Sequence, residues 1–355
     1  MEEKIVKEPW FLASLQQFLH LPFTPDVKEV RIQNVPEGKA FETEALFYFD
    51  FLNALHGQLS SMSQPWPPLA VPRLFHVQSG TLVILEDVHK NYGHSMIAFP
   101  QHIPQGHMKK LVEELARIHA LSLLVLDESA ASHFSLFLRE PEPDEFRASE
   151  TLIKDWSTFL RIRHPGMTDL AEALEKLGHK HPETLVVEIG KKPGRIHTLT
   201  HGDLWQNNLM WKDDGSVMIL DWQEVSYRRP ACDLATFLLT SCTSLERREL
   251  TDPLLDLYCE VFNDTTMKSG STLDYPRREI ERDYKECLLY ALIRYLIAVP
   301  FVLASVPPTQ GGNGGFLPGH HHNLMQEIIK GNIKDQVLEQ RVLEVMCDLH
   351  DLHIL

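Results

Sequence analysis

From Phe41 onward, apolar residues recur at alternating steps of four and three: Phe41, Ala45, Tyr48, Leu52 and Leu55. Such spacing predicts a helix with one buried stripe. Ahead of it, Trp10 to Leu21 reads as a short amphipathic helix and Asp26 to Val35 as a strand. Behind it, Pro65, Pro67, Pro68 and Pro72 predict a loop. The apolar run Thr81 to Leu85 suits a buried strand. Glu86 to His94 is polar and carries Gly93, so the chain changes direction there. Residues 1–88 therefore read as a small lobe ending in a hinge, and residues 89–355 as a larger lobe.

The larger lobe is mostly helical in pattern. Leu111, Leu115, Ile118 and Ser122 mark one long helix, and Phe159 to Lys180 suggests more. Asp233 to Cys242, Pro253 to Phe262 and Ile280 to Val299 read as further helices. Cys287 to Ser305 is apolar enough to resemble a membrane span, but Arg294 and Pro300 interrupt it, and a buried core helix is expected. Gly311 to Gly315 predicts a flexible break; no strand precedes it and no Lys-Ser or Lys-Thr follows, so it is not a phosphate loop. His320, His321 and His322 read as a solvated loop, because adjacent side chains point different ways. The pattern as a whole predicts an α+β protein.

The segment with the most chemistry runs over residues 199–223. It contains His201-Gly202-Asp203, Asn208, two short apolar runs and Asp221. Asp213-Asp214-Gly215-Ser216 separates the runs, and an Asp-Gly pair in that setting predicts a two-residue hairpin turn. Counting back from such a turn sets Asn208 opposite Asp221. Asp203 lies five residues before Asn208, in the loop feeding the first strand. Two carboxylates and an amide oxygen then converge. Magnesium takes hard oxygen ligands, a few from protein and the rest from phosphates and water, and Asn208 and Asp221 can supply the first kind. Asp203 is left to orient an attacking hydroxyl and accept its proton, as phosphoryl transfer requires. His201 is expected to hold the loop by hydrogen bonding.

Composition narrows the partners. Acidic residues outnumber basic ones by 49 to 34 in the 355-residue chain, a formal charge of -15. That surface repels nucleic acid and anionic membranes, so neither partner is expected, and no protein partner can be inferred. The five cysteines form no Cys-x-x-Cys pair, and Met1 to Pro9 has no apolar stretch after a basic start. Reduced thiols and a cytoplasmic location follow as expectations.

His-x-Asp-x-x-x-x-Asn followed by a strand-flanked Asp is similar to the catalytic and metal signature of the protein-kinase-like fold. His201-Gly202-Asp203-Leu204-Trp205, Asn207-Asn208 and Asp221-Trp222-Gln223 resemble the ecdysteroid-kinase-like branch of the aminoglycoside phosphotransferase and choline kinase superfamily. Arg229 to Ala235, Leu115 to Ala120, Leu85-Glu86-Asp87 and the set Phe41, Glu44, Tyr48 resemble other motifs of that superfamily. The resemblance spans roughly residues 41 to 300. It implies a two-lobe kinase-like fold with a shortened β-rich N-lobe and a helical C-lobe. It implies ATP and Mg2+ as cofactors and a small-molecule alcohol, ecdysteroid-like or otherwise, as substrate. It further implies nucleotide-binding roles for Glu44, Glu86, Asp87 and Val88, and a loop-bracing role for Asp233. His119 is expected to be a satisfied core histidine.

One part of the family's pattern is not evident. Kinases of this kind use a strand lysine paired to the helix Glu, and a loop over the phosphates. Lys39 is too close to Glu44, Lys28 lies in a polar context, and no glycine precedes Gly38. A truncated isoform, an incomplete gene model or a degenerate kinase would each account for this. The leading expectation is thus a phosphotransferase. The alternative is a catalytically impaired pseudokinase or small-molecule-binding protein, and a third reading is a metal-dependent hydrolase using the same carboxylates.

Overall fold

The computed structural model describes residues 3–6, 30–33, 39–62, 65–78, 82–97, 99–126, 133–138, 143–304, 318–333 and 335–355. The expected helix at Trp10 to Leu21, Lys28, and the glycine-rich break at Gly311 to Gly315 lie outside these residues. Strands β1 (Glu3–Val6) and β2 (Val30–Gln33) pair antiparallel. The second of them falls inside the expected Asp26–Val35 strand. Helix α1 (Lys39–Leu46) runs through a π-helical turn, Phe47–Phe51, into α2 (Leu52–Ser60). The wider turn inserts a residue into the predicted stripe and lets Phe47, Tyr48, Phe51, Leu52 and Leu55 all face inward.

Strands β3 (Leu74–Gln78) and β4 (Leu82–Leu85) pair antiparallel just before α3 (Val88–Tyr92). Asp87 starts α3 by accepting the His89 and Lys90 N–H groups, and Gly93 ends it with a left-handed φ of 75°. Beyond this point helices dominate: α4 (Gln105–Ser122), α5 (Pro143–Arg163), α6 (Thr168–Gly178) and α7 (Pro182–Gly190). Four short strands follow, β5 (Thr198–Thr200), β6 (Leu209–Trp211), β7 (Val217–Ile219) and β8 (Ser226–Arg228). Among the described residues five α-helices follow: α8 (Ala231–Ser241), α9 (Ser244–Lys268), α10 (Arg277–Ala304), α11 (Pro318–Lys330) and α12 (Gln336–Asp351). The core forms where α10 packs on α8 and α4 packs on α9. The fold is α+β, with the described strands in two-stranded antiparallel pairs and the helices concentrated toward the C-terminus.

Three sequence expectations need correction. The helix at Pro253 begins nine residues earlier, because Thr243 and Glu246 form a capping box and an extra turn precedes the proline. His320 to His322 belong to α11 rather than to a loop, and His322 pairs with Asp155 at 2.7 Å. The third concerns the hairpin. Leu209 pairs with Ile219 and Trp211 with Val217, so Asn208 falls opposite Leu220, not Asp221. The turn has three residues, not two. Gly215 donates to the Lys212 carbonyl at 3.0 Å and takes a left-handed φ of 85°, which adds the extra position. Asp221 therefore leaves the ladder one step beyond its end.

Both edges of the β6–β7 hairpin are occupied. Ile219 donates to the Ala70 carbonyl, and Trp211 exchanges two backbone bonds with Ser95, each at 2.8 Å. Phe47 closes the remaining side. Fully buried, it stacks on Trp222 with ring centroids 4.1 Å apart and planes 8° from parallel. This contact ties α1 and its π turn to the segment after β7. Phe47→Ala empties it and is expected to cost about 3–5 kcal/mol of stability. Urea unfolding should show a lower midpoint at unchanged slope. A loss below about 1 kcal/mol would contradict this role for the stack.

Candidate active site

Strand β5 delivers the chain into His201, Gly202 and Asp203, and the buried Asp233 of α8 holds that loop. Its carboxylate accepts the His201 N–H at 2.6 Å and the Gly202 N–H at 3.0 Å. The third bond comes from His119 of α4, whose Nε2 lies 3.1 Å away, while the Tyr258 hydroxyl donates to Nδ1 at 2.8 Å. Burial would push the Asp233 carboxyl up; the bonds from His119 and Gly202, and the charges of His119 and His201, outweigh it and hold the group below its ordinary range. Gly202 has φ 83°, and a Cβ there would lie 2.1 Å from the Glu224 carbonyl oxygen. Only glycine fits this turn.

Within the loop, His201 Nε2 donates to the Leu220 carbonyl at 2.7 Å and Nδ1 accepts the Asp203 N–H. One imidazole thus fastens the loop to the end of β7. Asn208 sits in a 3-10 turn before β6, and its Nδ2 donates to the Asp203 carbonyl at 2.8 Å and to the carboxylate at 3.1 Å. The amide oxygen of Asn208 is thereby turned away from Asp203. Asp221 has φ 63° and ψ 64°, an uncommon left-handed conformation for a residue with a side chain. Burial pushes its carboxyl up to about 6; His201 opposes this, and the charges of Asp203 and Glu224 add to it. The structure therefore brings Asp203, Asn208 and Asp221 together, although the register that does so is not the expected one.

Glu44 joins this group from α1. Burial first, and the charge of Asp221 second, push its carboxyl up to about 7, partly offset by the Trp222 N–H that it accepts. No lysine or arginine forms an ion pair with Glu44 among the described residues. One turn along, the buried Tyr48 hydroxyl has no hydrogen-bond partner, and burial and the charges of Glu44 and Asp221 keep it well above its usual range. Crowded carboxylates, an amide oxygen and an unpartnered hydroxyl form a donor set that fits a hard divalent cation. Among the described residues, no group of three or more His, Cys, Asp or Glu stands ready as a closed cage. An ion that keeps water and phosphate ligands does not need one.

The hinge residues are engaged differently. Glu86 accepts from Tyr92 at 2.7 Å and Asn91 at 3.2 Å, Asp87 caps α3, and Val88 is buried. Their side chains are thus committed to the turn. Against Asp203, on a wall that does not include Asn208 or Asp221, a narrow cavity is lined by Trp205, Thr236, Thr240, Arg294 and Tyr295 among others. Sequence reasoning did not assign these residues. The available signal was Arg294, an isolated charge in an apolar run. A wider cleft of about 380 Å³ between Gly166 to Leu170 and the end of α12 contains none of the site residues.

A model of the ecdysteroid kinase-like family matches residues 23–271 of this chain. A curated relative, the uncharacterized oxidoreductase dhs-27 of Caenorhabditis elegans, is 21% identical over 256 residues, 67% of this chain and 30% of that protein. The chain thus spans less than a third of that relative's length. Among solved structures, the gentamicin–APH(2")-IIa complex is 11% identical with a TM-score of 0.47, covering 93% of this chain and 98% of that one. A choline kinase from Cryptosporidium parvum Iowa II is 12% identical with a TM-score of 0.41, covering 92% and 84%. No helix among the described residues is long and apolar enough to cross a membrane.

The raised carboxyl of Glu44 has a thermodynamic sign. The folded state keeps a proton that the unfolded chain releases, so this contribution to stability is present below about pH 4.5 and is lost as pH rises through about 7. Asp221 acts in the same direction between about 4 and about 6. In chelator-containing buffer the melting temperature should fall from about pH 5 to about pH 8, and Glu44→Gln should flatten that fall. Magnesium should raise the melting temperature more at the higher pH, where the carboxylates are already ionised. Identical pH slopes in wild type and Glu44→Gln would rule this account out.

Proposed function

The chain belongs to the ecdysteroid kinase-like family, a family of small-molecule kinases, and from that premise we propose that it transfers the γ-phosphoryl group of ATP to a hydroxyl of a small molecule. The observation that carries this reading is the Asp203 carboxylate, held by the Asn208 amide at 3.1 Å on a loop braced by Asp233. Asp203 orients the acceptor hydroxyl and takes its proton as the oxygen attacks. Asn208 and Asp221 are the residues that would hold magnesium, with Glu44 behind them. When bound, the ion supplies neutralisation of phosphate charge. The acceptor is an ecdysteroid-like or other small alcohol. Residues 1–88 serve as the nucleotide lobe, with the hinge at Glu86, Asp87 and Val88 beside the base, and residues 89–355 carry the acceptor side. The cytoplasm supplies ATP and keeps the five unbridged cysteines reduced.

One observation favours a second reading. Glu44 meets Asp221 and the Trp222 N–H rather than a lysine, so the grip on the nucleotide phosphates is incomplete among the described residues. A protein that binds nucleotide or small molecule without transferring phosphate fits that arrangement. Thermal shift with magnesium and ATP, set beside an ATP-consumption screen over small alcohols, separates the two readings.

The site residues should differ in kind. Asp203→Asn keeps the shape and removes the base, so turnover should fall by about 10²–10⁴-fold while magnesium-ATP still stabilises the fold. Asp221→Asn removes charge where the ion would be held, so nucleotide binding and turnover should weaken together. Equal losses of nucleotide affinity in the two variants would refute the division of roles. A wild type that binds nucleotide and consumes none with any acceptor would favour the second reading.

A further inference from the structure

Between Asp203 and Asn208 lies a buried amide that the site described above does not use. Gln206 is 0% exposed. Its backbone N–H donates to the Ser241 hydroxyl of α8 at 3.0 Å. Its side chain reaches a different part of the chain. Nε2 donates one hydrogen to the Ile97 carbonyl and the other to the Gln101 carbonyl, each at 2.9 Å. Carbonyl oxygens only accept, so these two partners fix which end of the amide faces them. The amide oxygen is buried with no partner among the described residues. A polar side chain kept in the core with one atom unpaired calls for an explanation, and here its two donors supply it.

The two carbonyls belong to the connection between the edge of β6 and α4. It leaves Ser95, which exchanges backbone bonds with Trp211, and ends at Pro104, where α4 begins. Its other side-chain ties among the described residues are peripheral. His102, largely exposed, meets Glu246, and Arg341 lies 3.5 Å from the Pro100 carbonyl, at the long end for such a bond. Phe99 of this connection faces Trp205, with ring centroids 6.3 Å apart. Both rings line the cavity of about 40 Å³ that Asp203 also lines. The cavity's remaining lining residues stand on α8, α10 and α12, which the core holds. Phe99 stands on no helix, so its place depends on how its segment is tied.

We propose that Gln206 is a positioning residue: by holding the Ile97 and Gln101 carbonyls it keeps Phe99 against Trp205, so that two aromatic rings wall the acceptor side of Asp203. The assignment rests on the phosphotransferase reading for its purpose, though not for its test. Gln206 lies three residues after Asp203, so the wall and the base are fastened to one loop. Helix α8 anchors that loop twice, through Asp233 at Gly202 and through Ser241 at Gln206. A wall tied to the loop of the base keeps its distance from the base, and transfer depends on such fixed geometry. An apolar side chain of the same shape would fill the space and leave both carbonyls unpaired. Water could then satisfy them only if the segment lifted away.

The test reads access to the Asp203 carboxylate on the full chain, without nucleotide or acceptor. A water-soluble carbodiimide with glycinamide labels carboxylates, and peptide mass spectrometry gives the rate at each; Asp221, on the other side of the loop, is the reference. Gln206→Met keeps the shape and removes both donors, so Asp203 should be labelled about tenfold faster while Asp221 changes by less than about twofold. Phe99→Ala removes the wall and keeps the tie, and it should raise the Asp203 rate to a similar extent. The double variant should exceed the faster single one by less than about twofold, because one residue acts through the other. Should Gln206→Met fail to fold, Gln206→Glu, which donates once at most, takes its place with a smaller rise at Asp203. Where an acceptor is turned over, Gln206→Met should raise its KM about tenfold and leave the KM for ATP unchanged. An Asp203 rate that does not move, a rise matched at Asp221, multiplying effects in the double variant, or equal changes in both KM values overturns the assignment. Since the labelling needs no nucleotide, a chain that shows the labelling pattern but consumes no ATP would lose only the proposed activity.

Discussion

The carboxylate of Asp233 is the interaction on which the rest of the site depends. It is buried, and it accepts from the backbone of His201 and Gly202 and from the ring of His119. Without it, two backbone N–H groups and the His119 Nε2–H would be buried with nothing to bond, each costing about 1–3 kcal/mol. Three parts of the chain meet there: α4 through His119, the loop after β5, and α8 itself. Tyr258 of α9 extends the same chain of bonds to a fourth. The loop that presents Asp203 is therefore held by the core of the larger lobe, not by its own local turns.

Backbone geometry sets the second constraint. Gly202 runs so close to Glu224 that no side chain fits, and Asp221 adopts a left-handed conformation that costs energy for any residue with a Cβ. Both distortions bring the two segments together. His201 bridges them by donating to the Leu220 carbonyl, and Trp222 anchors the far side by stacking on Phe47. Local strain here is offset by packing a few residues away, as is common where carboxylates must be held close.

The two faces of Asp203 differ in polarity for the same reason. The face toward Asp221 and Glu44 gathers negative charge that burial makes costly, an arrangement suited to a cation and to phosphate chemistry. The face toward α10 is walled by aromatic and aliphatic side chains with few polar groups. One residue thus stands at the border of a charged region and an apolar one.

Much of this was legible in the sequence. The stripe beginning at Phe41 fixed a helix, and the spacing of Asp203, Asn208 and Asp221 fixed a loop, a strand and its return. Periodicity and side-chain chemistry are local properties, so they can be read without a fold. What the sequence left undecided was set by contacts between distant segments. The turn at Gly215 takes three residues rather than two, a choice of backbone conformation that Asp-Gly permits either way and that moves Asp221 out of register. Glu44 meets Asp221 only because Phe47 stacks on a tryptophan 175 positions away. Arg294 reaches the Gly202 carbonyl across 92 positions, and nothing near it in the chain marks that destination. The sequence determined which chemical groups this protein has and which of them lie on common elements. Only the tertiary structure decided which groups face one another, because packing, unlike periodicity, is a relation between residues that the chain itself keeps far apart.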